Sequence, residues 1–280
     1  MKQPIIIALM AAAAISSSAA IPAYQAPQQL DMPTGAFHPV LSPDGSKLLF
    51  STMDHTGLQC LDMTDGSIAI IDSRAAAGFQ PIFSLDGSKV IYRTASKIDG
   101  LMNRDVREYN LATATNRQLK PMSREQVSPE SISRDTYAES AFDKINVTIN
   151  GKTTMIDPVD DAHSYLWASL SPDGTKIAFY EAFKGAFVAN VDGTDARSIN
   201  PKGIYPCWID DNTVASVSHF DDGYFITRSY VQINDLTTGE TAVVTTDDVL
   251  VDELTTSIST GAIVYSTLDG EVYILNPTTR

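Results

Sequence analysis

Leu41-Ser42-Pro43-Asp44-Gly45-Ser46-Lys47-Leu48-Leu49-Phe50 is the first of three nearly identical segments in this chain. It returns as Phe83-Ser84-Leu85-Asp86-Gly87-Ser88-Lys89-Val90-Ile91-Tyr92 and as Leu170-Ser171-Pro172-Asp173-Gly174-Thr175-Lys176-Ile177-Ala178-Phe179. In each copy a strand meets a tight turn: Pro presets φ, Asp bonds to nearby backbone, and Gly accepts a positive φ. An apolar, β-prone run follows, so each copy reads as a hairpin.

Three degenerate copies fill the gaps. Val127-Ser128-Pro129-Glu130 precedes a strand at Thr136-Tyr137-Ala138, Trp208 to Asn212 precedes Thr213 to Val217, and Ser257 to Gly261 precedes Ala262 to Tyr265. The matching strand positions are Phe50, Tyr92, Tyr137, Phe179, Val217 and Tyr265, spaced 42, 45, 42, 38 and 48 residues apart, 43 on average. That is the period of a four-stranded propeller blade, about 40–45 residues. A second hairpin follows in each repeat, turning at Asp65-Gly66, near Thr115-Asn116, at Asn150-Gly151, at Asp192-Gly193 and at Thr238-Gly239. The sixth repeat stops after Glu271 to Leu275, and Gln28 to Asp31 is available to supply its missing outer strand. Closure of that kind joins the ring ends and removes exposed strand edges. The pattern predicts an all-β fold: a six-bladed β-propeller of four-stranded antiparallel blades, closed by an N-terminal strand, over residues 21–280. A two-domain division would cut a regular repeat.

The Ser-Pro-Asp-Gly copies at Ser42 and Ser171, and the Ser-Leu-Asp-Gly copy at Ser84, resemble the repeat of TolB-type propellers. Similar repeats occur in propellers attached to serine peptidases and in oligogalacturonate lyases. The resemblance covers about residues 28–275 and implies the fold. For a TolB-type protein it further implies partners in the cell envelope. The α/β domain that precedes the TolB propeller is not expected here, and no Gly-x-Ser-x-Gly nucleophile elbow occurs.

Composition narrows the function. With 43% hydrophobic and 19% charged residues the chain has ample material for a core. Its formal net charge of −14 repels phosphate backbones and anionic membrane surfaces, so neither nucleic acid nor a membrane is expected as a partner. A basic protein patch, a cationic ligand or a metal fits that charge. Lys2, the apolar run Ile5 to Ile15 and the small residues Ser18-Ala19-Ala20 read as a signal peptide over 1–20, cleaved near Ala20. A periplasmic or secreted monomer is therefore expected. Cys60 and Cys207 lie 147 positions apart and read as isolated thiols. There is no His-Glu-x-x-His, paired Cys-x-x-Cys, phosphate-binding loop or Gly-x-Gly-x-x-Gly.

Propeller geometry then sorts the loops. The link between second and third strands opens on the same face as the link between blades. This rule gathers Asp54, His55, Asp99, Glu139, Glu181, His219, Asp221, Asp222 and Asp269 on one face, and the interblade links add Asp160, Asp161, His163, Asp247 and Asp248. His38 stands at the entrance of an innermost strand, while Arg93, Lys97, Arg104 and Lys184 offset part of the charge. The expected ligand-binding set is His38, Asp54, His55, His163, Glu181, His219, Asp221 and Asp222. No cofactor is required, although mixed imidazole and carboxylate at a channel mouth suits a divalent cation. Trp167 and Trp208 are expected to pack beneath the repeat turns. Two functions fit: a non-catalytic scaffold binding a cell-envelope protein or an extracellular ligand at its acidic face, or a glycan-active lyase or hydrolase with a His/acidic site at the channel mouth.

Overall fold

The computed structural model describes residues 21–278 apart from Thr34, Asp247 and Asp248. The predicted signal peptide and the expected face residues Asp247 and Asp248 lie outside the described residues. Among those described, no helix is long and apolar enough to cross a membrane.

Six antiparallel sheets follow one another as six blades, at 37–72, 82–123, 137–156, 165–200, 203–243 and 251–275. The last is completed from the other end of the chain. Gln28 pairs with Ile274 and Gln29 with Tyr273, and the Leu30 amide donates to the Val272 carbonyl at 2.8 Å. The N-terminal strand thus closes the ring in the expected position.

The repeat turn works through its Ser and Asp. In the first blade the Ser42 amide donates to the Lys47 carbonyl at 2.9 Å, and the Ser42 hydroxyl donates to Asp44 Oδ1 at 2.7 Å. The same hydroxyl oxygen accepts from the Lys47 amide at 2.9 Å, and Asp44 accepts from the Ser46 amide at 3.0 Å. Ser84–Asp86 and Ser171–Asp173 repeat this network, at 2.6 Å for each Ser–Asp bond. One Ser and one Asp therefore satisfy the polar groups of the turn, as a side chain that mimics backbone does in Asx and ST turns. The strand that follows buries its aromatic between blades: Phe50, Tyr92, Phe179 and Tyr265 are each buried.

Two degenerate copies differ from the expectation. Ser128-Pro129-Glu130 makes no hairpin; Pro129–Ser133 is a short helix, and the third blade has three strands, Tyr137–Ala141, Lys144–Ile149 and Lys152–Ile156. Ser128 caps that helix through the Ser131 amide, and Pro129 takes its first turn. Ser-Pro-Glu lacks the glycine that allows a positive φ and is a good helix start. In the fifth blade Thr213 pairs with Asp235 as Lys47 pairs with Asp62. The counterpart of Phe50 is thus Ser216, one residue before the expected Val217, because the turn between Asp210 and Thr213 is only two residues long.

The second blade also departs from the regular length. Its middle strands, Lys89–Ile98 and Leu101–Asn110, are ten residues each and turn at Asp99-Gly100, both with positive φ. Its outer hairpin turns at 111–114, ahead of the expected Thr115-Asn116, because Asn110 accepts from the amides of Ala112 and Thr113.

Candidate functional site: the loop face and the channel mouth

Near its start, each regular innermost strand breaks register. Shifts lie between Phe37 and Val40, Leu166 and Ser169, Ile204 and Cys207, and Val251 and Leu254. A β-bulge of this kind re-aims a side chain. The residue four positions ahead of the repeat Ser, or of its equivalent, is His38, Gln80, Trp167, Tyr205 or Glu253. The first four have φ of 56°, 50°, 52° and 51°, a left-handed conformation that is costly for any residue with a Cβ. Five blades thus present one side chain each at the channel mouth.

These side chains touch in sequence around the mouth. The rings of Trp167 and Tyr205 lie 4.0 Å apart. The Tyr205 hydroxyl donates to Glu253 Oε1 at 2.7 Å, and both Glu253 oxygens lie 3.0 Å from His38 Nδ1. His38 Nε2 meets the Met53 carbonyl at 3.1 Å, and its ring stacks on His55 at 3.8 Å. His55 packs edge-on against Phe79, which lies beneath the Arg93 guanidinium at 4.2 Å, and Arg93 donates to Gln80 at 3.4 Å.

The charges follow from these contacts. Burial alone would lower the pKa of His38, but the hydrogen bond and charge of Glu253 outweigh it and hold it above the usual value. Burial would likewise raise Glu253, yet the bonds from His38 and Tyr205 keep it below the usual carboxylate range. Burial and the adjacent His38 lower His55, and burial lowers His219. Asp252 is raised, first by burial and then by the charge of Glu253.

The pair has a pH signature. A raised His38 contributes stability fully below its ordinary value of 6.5 and loses it as pH rises through the folded pKa. A lowered Glu253 contributes above its ordinary 4.5 and loses it as pH falls. Both conditions hold together between those two values. Removing one partner of such a half-buried, charge-assisted bond costs about 1.5–3 kcal/mol, and a domain of this size shifts by about 2–4 °C per kcal/mol. The melting-temperature gap between wild type and His38→Gln is expected to be widest in that window and to narrow as pH rises above it. A gap independent of pH would show that the ion pair does not stabilise the ring.

The expected site residues divide into three groups. His38 and His55 meet directly, and His219 joins them through the sixth blade, with its Nε2 2.9 Å from the Val251 carbonyl. His163 and Glu181 form a separate pair in the fourth blade: Glu181 is fully buried and accepts the His163 amide at 2.8 Å, so it holds that link in place. Asp54, Asp221 and Asp222 organise their own loops. Asp54 accepts from the Thr52 hydroxyl at 2.6 Å, Asp221 from the Gly223 amide at 3.0 Å, and Asp222 from the amides of Tyr224 and Phe225, both at 2.9 Å. Among the described residues no three of His, Cys, Asp and Glu are arranged to hold a metal ion. The His38 and His55 rings lie face to face rather than converging on a point. Cys60 and Cys207 are both free, and burial pushes their thiols up to about 11 and about 12, which keeps them protonated at neutral pH.

Sequence reasoning missed Gln80, Tyr205, Asp252 and Glu253, and it expected Trp167 beneath a repeat turn. Trp208 does pack there, donating to the Ser169 carbonyl at 3.3 Å. Trp167 is instead aimed at the mouth by its bulge. The signal was the offset itself: His38, Gln80 and Trp167 each stand four residues before a repeat Ser.

Large apolar side chains at the loop tips were missed as well. Met53, Ile98 with Leu101 and Met102, Phe142, Phe183, and Tyr224 with Phe225 are all exposed, and each stands on or beside the tip of one hairpin in each of the first five blades: that of the two middle strands, or in the three-stranded third blade that of its first two. Phe183 is 86% exposed and Tyr224 90%. Phe142 and Phe183 have φ of 63° and 73°. Acidic residues are interspersed: Asp54, Asp99, Asp143, Asp160, Asp161, Asp221 and Asp222.

No protein-family model matches the chain, and no curated protein matches it. Solved structures are similar to it. A chain of the Mitotic Checkpoint Complex aligns at 9% identity and a TM-score of 0.59, over 98% of this chain and 98% of that one. An oligogalacturonate lyase in complex with manganese aligns at 13% identity and 0.49, and one from Vibrio parahaemolyticus at 10% and 0.46, each over 89% of this chain and 79% of the other. At such identities the likeness speaks to the fold alone.

Proposed function

We propose that this chain is an exported, non-catalytic propeller that docks a protein partner through the crown of apolar loop tips on its acidic face. The crown carries the reading. Soluble monomers scatter single exposed apolar residues, but here five successive blades place theirs at one structural position and on one face. Interfaces draw their affinity from a few aromatic anchors, while surrounding charge sets association rate and partner choice. The partner surface that fits is apolar at its centre and basic at its rim. The resemblance of the repeat to TolB-type propellers accords with a cell-envelope partner. A glycan-active site would need a base, an acid and a positioning Arg converging in a cleft. Here Glu253 is already held by His38 and Tyr205, and Arg93 lies over Phe79.

The charge half of this reading is tested without disturbing the loops. Asp221 and Asp222 hold their tip through carboxylate acceptors, and Asn supplies an acceptor of the same shape. The double variant Asp221→Asn, Asp222→Asn is expected to melt like wild type. It should recover envelope partners more slowly at low salt and equally at high salt, since exposed charges are screened over about 8 Å at physiological ionic strength. Recovery identical to wild type at every salt concentration would leave the acidic tips as a solubilising surface.

A further inference from the structure

Clusters of buried apolar side chains close five of the six seams between blades. Among the described residues the seam between the second and third blades has none, and the chain there runs through the short helix Pro129–Ser133. One pair of strand positions carries the difference. Leu49 and Cys60 face each other in the first blade and pack against the second, and Ala178 and Val188 do the same between the fourth and fifth. The equivalent pair in the second blade is Ile91 and Glu108. A cleft of about 350 Å³ opens here, beside the repeat turn and at the other end of the blade from the crown, lined by Ser84, Leu85, Lys89, Ile91, Glu108 and Arg134 among others. That volume suits a small ligand. The hydrogen bonding of its charged groups is uneven. Glu108 accepts from Arg117 at 2.8 and 3.1 Å and from Lys89 at 3.3 Å. Asp86, also in the lining, accepts from the Ser84 hydroxyl at 2.6 Å and the Ser88 amide at 3.1 Å. Arg134 makes one hydrogen bond, from Nη2 to the Phe83 carbonyl at 3.0 Å; its Nε is buried without a partner, and among the described residues it has no ion pair.

We propose that this cleft binds the carboxylate of an amphipathic acid, with the anion at the Arg134 guanidinium and the apolar part against Leu85 and Ile91. A half-buried charge without a counter-charge is costly, and a carboxylate supplies both the charge and the acceptors that a guanidinium fits best. Counting Arg117, which holds Glu108, three cations meet two carboxylates in and around the cleft, so it is locally positive on a chain of net charge −14. A cationic ligand would meet Arg134 uncompensated, and a neutral one would leave it so. Leu85 stands where the first and third repeat copies have proline, is 79% exposed, and with Ile91 gives the cleft its apolar surface. A ligand seated there bridges the two blades at the seam that lacks an apolar cluster. The site lies apart from the crown and does not depend on the docking reading.

Acetyl-leucine, hexanoate and the tripeptide acetyl-Ala-Ala-Leu with a free carboxyl terminus are titrated calorimetrically into the full chain at constant ionic strength, with acetyl-leucine amide as the uncharged analogue. Saturable binding is expected with the acids and none with the amide. Saturating acid should also raise the melting temperature, since a ligand that binds only the folded chain stabilises it. Tighter binding of the tripeptide assigns the cleft to a polypeptide C-terminus and tighter binding of hexanoate to a free acid; either result supports the site. Arg134→Gln should weaken binding about tenfold, the loss expected for a charge-assisted contact. Arg134 also holds the Phe83 carbonyl, so Leu85→Asp serves as a second variant. It changes an exposed turn residue, should melt like wild type, and should weaken acid binding by setting a like charge beside the anion. The absence of saturable binding, equal binding of the amide, or wild-type affinity in Leu85→Asp or in a folded Arg134→Gln would overturn the proposal. A crown variant such as Phe142→Gly, Phe183→Gly should bind the acids like wild type, so failure of the docking reading and failure of this one remain distinct.

Discussion

Gly185→Ala is expected to prevent stable folding of the fourth blade, whereas Gly174→Ala should cost only about 1–2 kcal/mol. Both glycines have positive φ, at 98° and 69°, so both substitutions strain the backbone. They differ in what a new methyl group would meet. At Gly174, in the exposed repeat turn, a Cβ has nothing within 4 Å. At Gly185 it would lie 2.3 Å from the Asn200 carbonyl oxygen and 2.6 Å from the Pro201 carbonyl carbon, both backbone atoms that cannot rotate away. Gly185 opens the third strand opposite Glu181, and Asn200 ends the fourth strand beside it. Relief of the clash requires separating these strands. Asn200 also donates to Ser216 and Ser218 of the fifth blade at 2.9 and 2.8 Å, so the displacement would spread between blades. Losses above about 4 kcal/mol are exceptional for single substitutions and come from mechanisms of this sort. Thermal melts of the two variants give the comparison. Equal melting temperatures would show that the fourth-strand backbone yields more readily than its packing suggests.

The contrast between these two glycines also shows where the sequence was legible. Gly174 belongs to a written motif, and its positive φ follows from the motif alone. Gly185 sits in Lys184-Gly185-Ala186, which carries no turn signature, and its crowding comes from a strand fifteen residues away. The fold was readable because its determinants are local and repeated: a Ser, an Asp and a Gly at fixed offsets, then an aromatic. Where the repeat decayed, local chemistry decided the outcome, and Ser128-Pro129-Glu130 became a capped helix rather than a turn. The faces were readable for the same reason, since strand count alone assigns each loop to one end. Which side chains meet at the mouth was not, because a bulge rotates a residue by means that leave no apolar periodicity. His38 was noticed for its chemistry and Glu253 was missed, although the two form one ion pair. The loop carboxylates are engaged in their own turns, a role their sequence positions did not announce: Asp222 accepts from the amides of Tyr224 and Phe225.

Phe142→Gly, Phe183→Gly is expected to abolish most partner binding while leaving the propeller as stable as before or slightly more so. The argument rests on the cost of putting phenylalanine where it is. A bulky residue with φ near 60–70° is an outlier, and such a conformation costs about 1–3 kcal/mol. Glycine adopts it freely, though it surrenders more chain entropy on folding, roughly 0.5–1 kcal/mol. The two effects nearly cancel, with a small balance in favour of glycine. Neither ring contributes appreciably to the core, since Phe142 is 76% exposed and Phe183 86%. His163, whose ring meets Phe183 edge-on at 5.5 Å, is itself exposed. Core packing therefore does not account for either side chain, and the proposed docking gives both a role. An aromatic anchor at the centre of an interface costs 2 kcal/mol or more when truncated, which is about 30-fold in affinity for one residue. Two anchors on adjacent blades should lower the affinity further, without strict additivity. The measurement pairs thermal melts with binding of the recovered partner to immobilised wild-type and variant chains. Leu85→Gly, an exposed apolar residue removed from the opposite face, serves as the control. Docking through the crown requires loss of binding in the double variant, none in the control, and a melting temperature that does not fall in the double variant. If the double variant melts well below wild type, the two rings pack against the loops after all, and the crown loses its claim to be a surface built for a partner.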